Sequence, residues 1–278
     1  MTRPEDIRDR MTNVRQIGSI ISTLRAIAAA HQNEAKGHLA AIRAQEEAVA
    51  EALGAALRLG GAMPTADPVA QAITLVIGAA QGFSGSFGER MAEAAQGAAA
   101  RGDTLIVVGS RTIGALEDQG VTLAVREEMA PHAPEVPQLA IRLSDALFAE
   151  LAKRPGAAVR MIYADPENIA AGPILRSLFP LDQSRFSTKP RVAPLTTLSP
   201  AGLTAALIEE YVFTEICEGL MLGFAAENAA RAEAMARAQT AVKQISGDLK
   251  QEFQRARQEQ MTTEIIELAS AAEVSGEV

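Results

Sequence analysis

No proline follows Pro200 in this chain of 278 residues, so nothing beyond it interrupts a helix. Gly219, Gly223 and Gly247 each cost about 1 kcal/mol of helix propensity relative to Ala, against runs of Ala, Glu, Arg, Gln and Met, the good helix formers. Met235, Ala238, Val242, Ile245, Leu249, Phe253 and Ala256 recur at spacings of three and four, the seam of a coiled coil. A single helix from about Leu203 to Val274, ~70 residues at ~1.5 Å rise, would be ~105 Å long. That is a rod, not an ordinary domain helix.

The other prolines repeat this division. Of thirteen, Pro4 stands alone near the start, eleven fall between Pro64 and Pro194, and Pro200 is the last. From about Glu5 to Leu59 a second helix is expected, with Ile7, Met11, Val14, Ile17, Ile21, Leu24 and Ala28 at helical spacing. Pro4, Glu5 and Asp6 make a favourable start at the positive end of the helix dipole, and Gly60-Gly61 before Met63-Pro64 ends it. Small strips on both helices, Ala26 to Ala30 and the alanines from Ala225 to Ala241, allow close approach. The two ends of the chain are therefore expected to pair antiparallel.

The middle alternates strands with helices. Ala72–Ile77, Thr104–Val108, Val121–Val125 and Ala157–Tyr163 read as strands, with Ile174–Asp182 as a further one. Glu89–Arg101, Arg111–Gln119 and Pro137–Lys153 read as helices. This order implies a mostly parallel sheet covered on both faces. The expected fold is α/β: a long antiparallel coiled coil of the terminal helices with an inserted Rossmann-like α/β domain. The expected boundaries are 1–60, 70–195 and 200–278.

Composition excludes several functions. A net charge of −8 disfavours nucleic acid, which calls for a basic stripe. Cys217 is the only cysteine, so no internal disulfide forms, and a small packed hydrophobe is its expected role. No apolar run reaches membrane-spanning length, and the start lacks a signal core.

The residues that could carry chemistry do not assemble. Gly78-Ala79-Ala80-Gln81-Gly82-Phe83-Ser84-Gly85-Ser86-Phe87-Gly88 lies between a strand and a helix, where phosphate loops sit. It lacks Gly-Lys-Ser/Thr and a strict Gly-x-Gly-x-x-Gly, so a tight turn leading into a helix is the expected role. His31, His38 and His132 share no ligand spacing with the cysteine, although His31 with Glu34, or Glu34 with His38, could face alike on a helix. Ser84 and Ser86 have no histidine nearby in sequence and no Gly-x-Ser-x-Gly elbow. The pairs Glu46-Glu47, Glu127-Glu128 and Glu209-Glu210 diverge on a helix and read as solvated charge. No catalytic, cofactor or metal site is expected, and a mechanical or adaptor role fits best.

Both ends carry a family pattern. Ile7-Arg8-Asp9-Arg10-Met11-Thr12-Asn13-Val14 leading to Leu24-Arg25-Ala26-Ile27-Ala28-Ala29-Ala30 resembles the amino-terminal helix of the γ subunits of F-type ATP synthases. Ala226-Glu227-Asn228-Ala229-Ala230-Arg231-Ala232-Glu233-Ala234-Met235 and Arg255-Ala256-Arg257-Gln258-Glu259-Gln260-Met261-Thr262-Thr263-Glu264-Ile265-Ile266-Glu267 resemble its carboxyl-terminal signature more closely still. The glycine-rich turn is similar to the family's Asp-Arg-Gly-Leu-Cys-Gly-Gly element.

The resemblance implies a non-catalytic central shaft on the cytoplasmic face of the cell membrane. Its implied partners are the α and β subunits of an α3β3 hexamer, the ε subunit and the membrane c-ring. It places Arg257 and Gln258 at the β subunit's catch region, and Leu24 near Arg231 and Glu267 at the rotor–stator bearing. Arg25, Gln258, Thr262 and Glu264 belong to the same implied contact surface. Ser19, Ser22 and His31 stand where the family has lysines, and Ala80-Gln81 and Ser84 replace Asp-Arg and Cys. These departures suggest an alternative γ subunit serving a second bacterial ATPase. A helical-hairpin scaffold or chaperone would not need the α/β insert. A nucleotide-dependent oxidoreductase would leave the rods unexplained, and a V-type central stalk is mainly helical.

Overall fold

The computed structural model describes residues 4–67, 70–182, 185–186 and 195–275. Two long helices, α1 (Pro4–Arg58) and α5 (Pro200–Ser275), enclose β1 (Ile73–Ile77), α2 (Phe87–Ala100), β2 (Thr104–Val108), α3 (Ser110–Glu117), β3 (Val125–Glu127), α4 (Val136–Lys153), β4 (Val159–Ala164) and β5 (Pro173–Phe179). The chain divides into two units, Ala28–Ala232 and Met1–Ile27 with Glu233–Val278.

In the larger unit the five strands form one sheet in the order β3-β2-β1-β4-β5. β1 to β4 are parallel, and β5 closes the edge antiparallel to β4. β1 and β2 are buried throughout, because both sheet faces are covered, and such strands read as continuous apolar runs. Ile73, Leu75, Ile77, Ile106, Val108, Val159 and Met161 pack toward Leu139 and Leu143 of α4 and Ile216, Leu220 and Phe224 of α5. Val76, Leu105, Val107 and Ile162 face Phe87, Met91 and Ala95 of α2 and Leu116 of α3. At the other end of the strands, the buried Asp103 carboxylate pairs with Arg160 (3.5 Å) and accepts a hydrogen bond from the Thr74 hydroxyl (2.8 Å).

α5 is the core of this unit. From Tyr211 to Arg231 every residue but Phe213 is buried. Gly219 and Gly223 lie where any side chain would meet Met161 of β4 and Ile77 of β1, so the two glycines let the helix axis approach the sheet. The third strand differs from the sequence expectation of 121–125. The Val121 amide turns back to the Leu116 carbonyl (3.0 Å) after Gly120 at φ +75°, so pairing with β2 begins only at Val125.

In the smaller unit the segments of α1 and α5 run side by side and antiparallel. Arg8 stacks on Phe253 (5.7 Å), Arg10 lies 3.9 Å from Glu252, and Arg25 donates to Gln239 (3.1 Å). Ile7, Met235 and Leu249 are buried along this seam. Two seam expectations fail: Ile17 and Ile245 are 50% and 47% exposed. Gly18 takes the inward position beside Ile17, so close that an added Cβ would lie 3.1 Å from Val242 Cγ1.

Candidate functional site

In an open α/β sheet, ligands bind beyond the carboxyl ends of the strands where the strand order reverses. Here the chain winds outward from β1 through β2 to β3 and then returns to β4 on the other side of β1. The crevice therefore opens beyond Ile77 and Ala164, and the glycine-rich turn forms its wall.

The turn is fixed from both sides. Toward β2, the Gly78 amide donates to the Val108 carbonyl (2.9 Å) and the Ala79 amide to Thr112 Oγ1 (2.8 Å). Ser110 Oγ donates to the Ala80 carbonyl (2.9 Å). Gly109, at φ +103°, passes so close to the Ala79 backbone that only glycine fits. Toward α5, the Glu227 carboxylate accepts the consecutive amides of Ala80 (3.0 Å) and Gln81 (2.7 Å). Arg231 donates to Glu227 Oε1 (2.6 Å), Asn228 Oδ1 (2.8 Å) and the Gly82 carbonyl (3.1 Å).

Two adjacent backbone N–H groups converging on one anion is how such a turn would hold a phosphate. The anion here is the chain's own carboxylate, neutralised by its own arginine. A phosphate would have to displace Glu227 and then meet its charge. The crevice that carries a dinucleotide in an enzyme is in this chain the socket of α5.

The guanidinium of Arg231, expected at a partner contact, is buried and triply bonded inside the larger unit. The other expected contact residues lie in the smaller unit. Leu24 is half-buried and Arg25 exposed; the Gln239 amide that receives Arg25 also donates to Ser22 Oγ (3.1 Å). Arg257, Gln258, Thr262 and Glu264 are exposed. Thr262 Oγ1 returns to the Gln258 carbonyl (2.9 Å), and Glu264 accepts from Gln260 (2.8 Å). Met261, Ile265, Ile266 and Leu268 beside them are 48–71% exposed. The Glu267 side chain lies outside the described residues. The expected closeness of Leu24 to Glu267 is not found: the antiparallel register sets Leu24 beside Gln239, and the intervening helix, at ~1.5 Å per residue, puts Glu267 roughly 40 Å farther along.

One polar cluster overturns the expectation that Glu46 is solvated charge: its side chain is largely buried and paired with Arg185. Arg176 of β5 donates to Glu215 (2.9 Å) and Glu218 (2.6 Å) of α5, and Arg43 of α1 adds a second bond to Glu218 (2.9 Å). Arg185 joins Glu215 (2.5 Å) to Glu46 of α1, and Tyr211 Oη donates to Glu215 (2.9 Å). Burial pushes the Glu218 carboxyl up, but the hydrogen bonds from Arg176 and Arg43 outweigh it and hold it below the usual carboxylate range. Burial and the charge of Glu215 push Glu46 up. The only sequence signal is two isolated acids, Glu215 and Glu218, inside an otherwise apolar helical stretch.

Fold and site together define a class: a doubly wound body whose ligand crevice clasps a long helix, with an exposed polar and apolar strip farther along that helix. The chain belongs to the ATP synthase family, whose model matches residues 3–274. It is similar to the ATP synthase gamma chain of a Cyanothece species (25% identity, 98% of this chain and 99% of that one). It is also similar to the ATP synthase gamma chain of Hyphomonas neptunium (27% identity, 97% and 98%). A chain of the Euglena gracilis mitochondrial ATP synthase, in a cryo-EM structure of OSCP/F1/c-ring in rotational state 3, shares the fold. The TM-score is 0.64 over 99% of this chain and 96% of that one, at 13% identity.

Proposed function

We infer that the chain is the γ subunit of a rotary F-type ATP synthase, the shaft that couples rotation of a membrane c-ring to conformational change in the β subunits. The observation that carries this reading is the use of one helix for two purposes. The Tyr211–Arg231 stretch of α5 is buried and clasped, whereas Arg257–Ile266 of the same helix is exposed throughout. A helix anchored at one end and bare at the other is suited to carrying motion from its own body to another protein.

On this reading the terminal segments, 1–60 and 200–278, form an antiparallel coiled coil that enters an α3β3 hexamer. The insert, 70–195, faces the c-ring with the ε subunit beside it. The chain is then a peripheral, non-catalytic subunit on the cytoplasmic face of the membrane. Leu24, Arg25, Arg257, Gln258, Thr262, Glu264 and Glu267 form the surface toward α and β, and Arg231 instead holds the turn. The lysine-poor amino-terminal helix fits an alternative γ subunit working with its own cognate ring.

The test is co-purification of a tagged copy from its native membranes, with an ATPase assay of the eluate. Recovery of α, β and ε with ATPase activity is the expected result. Recovery alone, or with unrelated clients and no ATPase, overturns the reading and favours a scaffold.

A further inference from the structure

Resting on the γ-subunit reading above, we propose that Glu227 is a positioning residue for torque transfer. It is the fastening through which twist in α5 passes into the α/β body. The larger unit takes in α5 only as far as Ala232, so among the described residues the Glu227–Arg231 clamp is the last polar fastening before the helix leaves it. A stiff rod seated in a more compliant body transfers most of its load near the end where it enters. Twist arriving along α5 from beyond Ala232 therefore reaches this clamp first.

The apolar packing against the sheet at that level offers less grip on a turning helix than the clamp does. The residues of α5 that face the sheet beside Glu227 are Ala226, Ala229 and Ala230, whose methyl groups offer little to interlock. Apolar burial is non-directional, so it sets no preferred angle about the helix axis. Hydrogen bonds depend on angle as well as distance. The two Glu227 oxygens each hold a different amide, of Ala80 and Gln81, and Arg231 adds the Gly82 carbonyl. Three consecutive residues of the turn are thereby fixed to one helical turn of α5. The turn itself is bonded to β2 and α3 through Gly78, Ala79 and Ala80, so load passes from helix to clamp to sheet. Deeper in the unit Gly219 and Gly223 lie tight against Met161 and Ile77 of the sheet, farther from the end at which the helix enters.

The test uses the membrane-bound complex carrying Glu227→Gln. This variant keeps the side chain's shape but turns one acceptor oxygen into a donor facing a backbone amide. ATP hydrolysis without an ion gradient and ion pumping per ATP hydrolysed are both measured. The exposed Glu209→Gln serves as control. The expected result is a severalfold fall in ions pumped per ATP that exceeds any fall in unloaded hydrolysis. Amide exchange at Ala80 and Gln81 should also accelerate roughly tenfold, the loss that one charge-assisted hydrogen bond represents. Loss of pumping and hydrolysis in equal proportion, or no change in their ratio, overturns the proposal. If Glu227→Gln does not assemble, Arg231→Lys, which keeps the charge but loses the forked contacts, must show the same change in ratio or the proposal falls. Failure of the wild-type chain to support any ATPase complex would instead overturn the γ-subunit reading itself.

Discussion

Gly223 of α5 lies against Ile77 of β1 with no room for a methyl group, since a Cβ built on the glycine would overlap the Ile77 Cγ2 atom. Forcing one in should cost about 1–3 kcal/mol through overpacking, against about 1 kcal/mol gained in helix propensity. Gly223→Ala is therefore expected to lower the urea midpoint slightly and Gly223→Val to lower it strongly. Gly247, with nothing within 4 Å of its would-be Cβ, is the internal comparison. Gly247→Ala should stabilise by about 1 kcal/mol, and destabilisation there would contradict the exposed helical position.

The buried acids of α5 make stability depend on pH in a defined direction. Glu218 is held below the usual carboxylate range in the folded state, so the unfolded chain binds its proton first as pH falls. The stability it contributes is present above the ordinary glutamate value of ~4.3 and is lost as pH falls through the lower folded value. Glu150 behaves alike, held down chiefly by its hydrogen bond from Lys153. Glu218→Gln leaves Arg176 and Arg43 short of an anion and should cost about 3 kcal/mol at neutral pH. Its deficit against the wild type should shrink below about pH 4 in denaturation curves. A deficit that stays constant down to about pH 3 would refute the assignment.

The proposed partner surface of the smaller unit is tested by Arg257→Ala combined with Gln258→Ala. Both side chains are exposed, so the double variant should fold and assemble normally. ATPase activity or torque of the complex should fall. Unchanged turnover in the assembled double variant would remove these two residues from the coupling surface.

Cys217 offers a probe of the core of α5. It is buried, and burial with the nearby charge of Glu210 pushes its thiol up to about 12. The thiolate is the reactive form. Iodoacetamide at about pH 8, near the ordinary thiol value, should therefore leave the native protein unlabelled and modify it fully once unfolded. Labelling of the native protein at the rate of a free thiol would show that this part of α5 opens readily.

The strands were legible where the physics is local. Ile73–Ile77 and Thr104–Val108 are almost wholly apolar on both faces, which only a doubly covered strand requires. Val121–Val125 misled because an apolar run does not show where a preceding helix releases the chain, and Gly120 delays that release. Ile17 misled differently: a hydrophobe at the right spacing lost its inward place to Gly18, because the partner helix comes too close there for a larger residue. The candidate site was less legible. Its turn was visible as glycines between a strand and a helix, but Glu227 lies 147 residues beyond Ala80. Nothing in the turn's own residues says that a carboxylate already occupies it. The Glu215–Glu218 cluster failed for the same reason, its arginines coming from β5, α1 and the segment after β5.

The register of the smaller unit has a consequence for the life of the subunit before it meets its partners. Arg8 still faces Phe253, so Pro4, where α1 begins, stands at about the level of Arg257, and among the described residues α5 continues from there to Ser275 without α1 beside it. Most helical stability in proteins comes from packing an apolar face, and this stretch instead shows solvent the side chains of Met261, Ile265, Ile266 and Leu268. Exposed apolar side chains invite association, so a freshly made copy should associate through this tip and be cut there by proteases. How long it survives depends on how soon another protein closes around that tip, so surplus copies should be cleared faster than assembled ones.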